Sequence, residues 1–245
     1  MTAITSSANT LIYPSSDGEP VAETFDHLYA ILTILEVLRQ YLQDQRATVL
    51  ANQFLYYAQG FPKLRVAPDV MVIFDVEPGG RDNYKIWEEG QVPKVIFEIT
   101  SASTRQEDTG HKQVLYEQLE VDEYWLFDPK GDWIDGQLLG YRLQEGRYLR
   151  IADQCSQALN LRLQVEGKLL GFYRLDTGEK LLLPDELAQA LRQESTARQA
   201  AEQRAEFAEQ RAESAEQQLA QERQQREALL QRLQERGINL EDLNL

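Results

Sequence analysis

The chain is short of the residues that staple or ligate. One cysteine, Cys155, in 245 residues permits no intrachain disulfide and points to a reducing compartment, so the cytoplasm is expected. Together with two histidines, His27 and His111, it cannot build a four-ligand structural zinc site of the usual kind. No apolar run reaches the ~20 residues that span a bilayer, so no membrane association is expected. The opening MTAITSSANTLIYPSSDG has no basic stretch followed by an apolar one, and no signal peptide is expected. Positive charge is scarce as well: 25 Lys and Arg face 40 Asp and Glu, a net charge of −15. Phosphate contacts depend on clustered Lys and Arg, which argues against a broad nucleic-acid-binding surface. A small cationic cleft or a metal-bridged phosphate remains open. From Asp185 onward 13 acids stand against 8 arginines, a net of −5, which leaves −10 on the preceding residues.

What is there reads as a globular part, residues 1–183, and a helical extension, 184–245. After a polar lead-in with Pro14, Gly18 and Pro20, apolar residues recur at helical spacing over Val21–Leu42: Leu28, Ile31, Ile34, Leu35, Leu38 and Leu42. Val49–Tyr57 reads as a strand. Leu64–Val76 reads as a strand or a bent pair, with Pro68 at a strand start, edge or bulge because it lacks a ladder donor. Glu77–Gln91, with Gly79-Gly80, reads as a loop. Val95–Thr100 is a continuous apolar strand of the kind buried on both faces. Thr104-Arg105-Gln106-Glu107 fits a capping box opening a helix whose stripe is Val114, Leu115 and Leu119. Glu123–Asp128 is another buried strand, stopped by Pro129. Strand, helix, strand predicts a right-handed crossover with the two strands parallel. Leu138–Leu143 and Tyr148–Ile151 read as a hairpin around Glu145-Gly146, and Leu161–Leu175 as a second one.

After Pro184 the heptads AEQRAEF, AEQRAES and AEQQLAQ follow one another. They set Ala201, Ala205, Ala208, Ala212, Ala215 and Leu219 on one seam with 3-4 spacing, continued by Leu229 and Leu233 and interrupted at Glu222 and Arg226. This predicts a helix of about 50 residues, ~75 Å long at 1.5 Å per residue. Two readings stand: a charge-stabilised solitary helix, or a coiled coil that makes a homodimer or docks a partner helix through residues 187–236.

The chemistry concentrates in Pro68-Asp69, Glu98-Ile99-Thr100 and Lys112. Two carboxylates sit in apolar β-rich runs, where an acid is costly to bury without compensation. If the strands are neighbours, Asp69 and Glu98 converge. Hard oxygen ligands then suit Mg²⁺ or Mn²⁺, with the Ile99 backbone carbonyl as a natural third ligand. A metal-bound water can attack a phosphodiester, and the Lys112 ammonium would orient that water or hold developing charge.

The combined pattern resembles the Uma2 family (DUF820) of the PD-(D/E)xK superfamily. It is carried by RVAPDVMVIF, WEEG, PKVIFEITS, the helix with Lys112 and Tyr116, and DEYWLFDP, and it covers roughly residues 15–180. The resemblance implies an α/β restriction-endonuclease-like core, a mixed central sheet flanked by helices, with the long C-terminal helix added. It also implies Asp69, Glu98 and Lys112 as catalytic residues and hydrolysis of DNA as the reaction, in a group abundant in cyanobacteria. The wider superfamily has a lysine two residues after the second acid, where this chain has Thr100; the helix residue Lys112 is the implied replacement. Ala102 stands where the family usually has proline. Glu23, on the first helix, is a weak carry-over from superfamily members that place an acid there.

Each of these residues also has an ordinary reading. Asp69 after proline can cap a turn. Lys112 can form a surface i,i+4 ion pair with Asp108. Tyr116, one turn beyond Lys112, can simply pack. His27 and His111 read as ordinary, partly exposed histidines, Tyr124 and Trp125 as core. Ser101, Ser103 and Thr104 read as helix-entry caps. An unpaired buried Glu98 is the hardest to explain without a site. Two functions follow: a metal-dependent endonuclease acting on DNA, or a nuclease-fold protein, weak or inactive as a catalyst, that recruits partners through its C-terminal helix.

Overall fold

The computed structural model describes residues 11–16, 18, 23–101, 104 and 106–236. Ala102, Ser103 and Arg105, and with them part of the expected helix entry, lie outside these, as do residues 1–10 and Val21. The chain divides into two compact units, Met1–Glu186 and Leu187–Leu245.

The first unit is organised by one six-stranded mixed sheet. Its strands are β1 (Ala47–Ala51), β4 (Val70–Phe74), β6 (Val95–Ile99), β7 (Glu123–Phe127), β8 (Leu138–Gln144) and β9 (Arg147–Ile151), in the spatial order β1-β4-β6-β7-β8-β9. β4 runs antiparallel to β1 and β6, and β6 and β7 are parallel with Glu98 opposite Leu126. This is the expected crossover pair. Both strands are fully buried, as continuous apolar runs require.

Each face of the sheet buries its own cluster. On one side Val70, Val72, Val95, Phe97 and Trp125 pack with Ile31, Ile34 and Leu38 of α1 (Phe25–Tyr41). The same cluster takes in Leu161, Leu163, Leu170 and Phe172 from a second sheet, β10 (Cys155–Ser156), β11 (Leu161–Glu166), β12 (Leu169–Arg174) and β13 (Lys180–Leu181). On the other side Met71, Ile73, Ile96, Tyr124 and Leu126 pack with Tyr116 of α3 (Gln113–Gln118). Leu55, Val66 and Tyr84 join them from a small sheet of β2 (Leu55–Tyr56), β3 (Arg65–Val66) and β5 (Tyr84–Lys85).

Several local expectations are corrected. Val49–Tyr57 is not one strand. Asn52 takes a left-handed φ of 50°, which asparagine tolerates, and the turn sends β1 and β2 into different sheets. The polar stretch 77–91 is not all loop: it holds β5 and a one-turn α2 (Ile86–Glu89), and β5 exists because β2 pairs with it in parallel. The helix after β6 opens as a π-helical turn, Glu107–Lys112, and only then becomes α3. Val114 is exposed, and the fully buried residue of α3 is Tyr116. In α1 the buried line runs through His27, Ile31, Ile34 and Leu38, while Leu28 faces solvent. The two-residue turn Glu145-Gly146 of the β8–β9 hairpin has positive φ at both positions, 50° and 77°, as a type I′ turn requires.

The long helix α4 (Pro184–Glu235) is the C-terminal helix expected from the heptads. Proline suits its first turn, and Glu186 Oε2 accepts the Leu183 amide there at 3.0 Å. Within the second unit Leu191, Phe207, Leu219 and Leu229 are all exposed. No helix among the described residues is long and apolar enough to cross a membrane.

Candidate active site

Asp69, Glu98 and Lys112 come together at one end of the main sheet. Asp69 immediately precedes β4, and Glu98 is the penultimate residue of β6. Their strands pair antiparallel with Val70 opposite Phe97, so one further step of the register sets Asp69 opposite Glu98. Side chains alternate along a strand, which puts both acids on the face shared by Ile96 and α3. The Asp69 carboxylate accepts the Ile99 amide through Oδ2 at 2.6 Å. That bond anchors the turn after Pro68 and leaves Oδ1 for other partners.

Glu98 is fully buried and gripped from the helical segment. Lys112 Nζ donates to its Oε2 at 2.9 Å, and the Tyr116 hydroxyl donates to its Oε1 at 2.8 Å. These two residues are four apart and share a helix face, so one side of the helix holds both carboxylate oxygens. Lys112 also pairs with Asp108 at 3.1 Å, and both partners are buried. The ordinary reading of the two as an exposed ion pair is therefore corrected: both side chains are buried, within the π-helical turn. π-turns recur at functional sites because the widened turn displaces side chains from their α positions.

The structure adds His27, which is corrected from an ordinary, partly exposed residue to a buried one. Its Nε2 lies 3.4 Å from Glu23 Oε2 and 3.7 Å from Asp69 Oδ1, and among the described residues neither ring nitrogen has a hydrogen-bond partner. Glu23 thus reaches Asp69 through His27. The sequence held one signal of this, a polar residue in line with Ile31, Ile34 and Leu38 on a helical repeat. His111 is exposed and stays outside the cluster.

Two other buried acids show what a purely architectural carboxylate looks like here. Asp128 accepts the amides of Lys130, Gly131, Trp133 and Ile134. Glu123 accepts from Trp125, Arg142 and the Gln157 amide. Both are satisfied by neighbours that fix loops. Glu98 receives no backbone amide among the described residues; its partners are a lysine and a tyrosine.

The model of the family Uma2, described as "Putative restriction endonuclease", matches residues 7–169, more than half of the chain. The chain belongs to the Uma2 family. The site acids, Lys112 and Tyr116 all fall within the matched residues, and α4 lies beyond them. A solved structure described as "a putative nuclease belonging to DUF820", from Anabaena variabilis ATCC 29413, is similar over 56% of this chain and 72% of its own. The identity is 16% and the TM-score 0.40. A comparison with curated proteins finds no match. The part of the chain that the family covers holds a mixed sheet flanked by helices, and the long C-terminal helix follows it.

The electrostatics of this Uma2 site are dominated by an excess of acid. Asp69, Glu98, Asp108 and Glu23 face one lysine and one histidine. Burial, helped by Asp69 and Asp108, pushes Glu98 up to about 8 against the pull of Lys112. Burial also raises Asp108, against the pull of Lys112. Burial alone would lower Lys112, but Glu98 and Asp108 outweigh it and keep the ammonium charged. For His27 burial likewise opposes protonation, and Asp69 and Glu23 outweigh it, raising its pKa.

A sign follows for pH. In metal-free protein the unfolded chain releases the Glu98 proton near 4.5, whereas the folded chain holds it to about 8. Between those values the folded state binds the extra proton, so this group's contribution to stability falls as pH rises. Glu98→Gln removes that ionisation. The expected result is a melting temperature that improves relative to the parent from pH 5 to pH 9, whatever the offset from losing the Lys112 pair. A constant difference across that range would show that Glu98 does not titrate there.

Among the described residues no group of three or more His, Cys, Asp or Glu side chains stands ready to hold a metal ion. The donor set nevertheless fits a hard divalent cation. Asp69 and Glu98 are oxygen donors on adjacent strands, and the surplus negative charge around them is what such an ion neutralises. Mg²⁺ usually binds through one or two carboxylates and keeps several waters.

Proposed function

We propose that this Uma2 protein is a metal-dependent endonuclease that hydrolyses DNA phosphodiester bonds. The observation that carries the reading is Glu98, a fully buried acid opposite Asp69 and bonded to Lys112, within a family described as "Putative restriction endonuclease". Asp69, Glu98 and the Ile99 carbonyl would hold Mg²⁺ or Mn²⁺. Bound there, the cation would supply Lewis acidity and a water of lowered pKa.

The chain's own residues divide the remaining tasks. Tyr116 and Lys112 fix the Glu98 carboxylate by both oxygens and so remove its rotational freedom. The Ile99 amide does the same for Asp69. Lys112 stays protonated and supplies positive charge for a phosphate that gains charge in the transition state. Its position four residues before Tyr116 replaces the strand lysine that Thr100 excludes. His27 from α1 backs Asp69, and Glu23, which precedes the helix N-cap and is not on the helix as expected, backs His27. The cytoplasm, with its free Mg²⁺, is the compartment we assign.

Supercoiled plasmid and single-stranded circular DNA incubated with the full chain test this. Cleavage with Mg²⁺ or Mn²⁺ and none in EDTA is expected. No cleavage with any divalent ion would remove the enzyme.

The exposed apolar residues along α4 favour an added role, the assembly of a homodimer or the docking of a partner helix over residues 187–236. An alanine-rich seam buries little surface, so the pairing is weak and concentration-dependent. Ala208→Pro interrupts the helix at the seam. Light scattering should show a mass falling from dimer to monomer; the same mass for parent and variant would remove self-association through the seam.

A further inference from the structure

Two clefts of opposite charge lie against residues of the candidate site, one at His27 and one at Lys112. One cleft, of about 260 Å³, is lined by Glu23, Asp26, His27, Asp128, Asp132 and Lys130, with acids in the majority. The other, of about 330 Å³, is lined by Phe54, Arg65, Ala67, Glu107, His111 and Lys112. Lys112 belongs to its wall and also holds Glu98, so this second cleft runs up to the site. Glu107 is its one acid.

Phe54 and Arg65 bring to the wall of this second cleft the two ends of a segment that is unusual in so acidic a chain. Between Asp44 and Asp69 there is no acidic residue, while Phe54, Tyr57, Phe61, Lys63 and Arg65 all occur there. Phe61 is 62% exposed at the turn between β2 and β3, and Lys63 is exposed two residues on. Arg65 lies 4.3 Å over the Phe54 ring and donates to the Pro62 carbonyl at 3.2 Å. Neither Lys63 nor Arg65 has an acidic ion-pair partner among the described residues, whereas Arg46, Arg81 and Lys85 do. A guanidinium stacked on a ring and left without a counter-charge is set for an anion.

We infer that the Phe54–Arg65 segment is the entry surface for a single strand of DNA, which reaches the site past Lys112 on the basic side. The inference deepens the nuclease reading and rests on it for the identity of the site. Aromatic rings beside a few cations fit unpaired bases, which stack on them regardless of sequence. A duplex presents paired, inaccessible base faces and is held through many phosphates. This surface offers two unpaired cations beside the cleft, and the net charge of −15 opposes a wider footprint. The acidic cleft repels phosphate and is left to the cation and water.

The test uses the full chain in EDTA, so that no strand is cut, and fluorescence anisotropy with a labelled 15-residue oligothymidylate or a duplex of the same length. The single strand should bind more tightly than the duplex. Phe61→Ala should weaken it about fivefold or more, as loss of one stacked base does. Lys63→Ala with Arg65→Ala should weaken it about tenfold and flatten the salt dependence by about 1.4, at about 0.7 per charge for single strands. Arg150→Ala, an exposed arginine on β9, should change binding less than about twofold, and all variants should melt with the parent. Tighter binding of duplex, equal losses with Arg150→Ala, or no binding by the parent would overturn the entry surface. Strand binding through Phe61 and Arg65 without cleavage in Mg²⁺ would overturn the nuclease reading alone. Cleavage that is indifferent to these variants would overturn the entry surface alone.

Discussion

Asp69→Ala and Glu98→Ala are each expected to lower Mg²⁺-dependent cleavage by about a thousandfold or more, a loss of roughly 4 kcal/mol of transition-state stabilisation. The two are not equivalent structurally. Asp69 is at the rim and accepts one amide, so its removal costs about 1 kcal/mol of stability. Asp69→Asn retains an acceptor for the Ile99 amide and separates that bond from the negative charge. Glu98→Ala leaves a buried Lys112 with only Asp108 as its acid partner and a hole beside Tyr116. Its melting temperature must therefore be recorded beside its rate. Both alanine variants cutting at the parental rate while folded would take the site away from this cluster.

Lys112→Met should produce the second large effect, and it has two parts. The side chain is 10% exposed and bonds two buried acids, Glu98 and Asp108. Removing one partner of such a pair typically costs about 3–5 kcal/mol, or about 6–20 °C in melting temperature at this size. The cost should shrink at acid pH, because two uncompensated carboxylates relieve their repulsion by taking up protons. The catalytic part is read below the variant's own melting temperature. There the cleavage rate should fall about a hundredfold or more, while Mn²⁺ affinity by calorimetry holds or rises, since the acids lose a competing cation. Equal loss of rate and affinity would leave Lys112 a purely structural role.

The acids of the cluster were legible because chemistry and pattern disagreed where they stand. A glutamate inside VIFEI can be read as exceptional from one sequence, and the parallel pair β6–β7 announces itself by continuous apolar runs. His27 was not legible, because one histidine on a helix looks alike whether it faces carboxylates or water. Its role depends on where α1 crosses the sheet end, which local periodicity does not encode. Leu28 misled for the same reason: it belongs to the apolar stripe, yet the buried face is centred one residue away. The strand Tyr84–Lys85 exists through its pairing with Leu55–Tyr56, a partner far off in the chain, so it has no local signature. The inward course of Asp108 was hidden by the assumption of an α-helix, under which i and i+4 on a polar face read as a surface pair.

That widened turn has a consequence for how the cluster can vary. From Glu107 to Lys112 the helix carries, in effect, one residue more than α winding needs. Excising Thr109 or Gly110 would restore the tighter pitch and swing Asp108 by about 100° around the axis. Lys112 and Tyr116 lie after the excision and would keep their hold on Glu98. The surplus residue therefore works as an indexing shim: it sets the acidity beside the ammonium independently of the clamp on the acid. Relatives that differ by a single gap in this segment would share the same jaws while running them at a different charge.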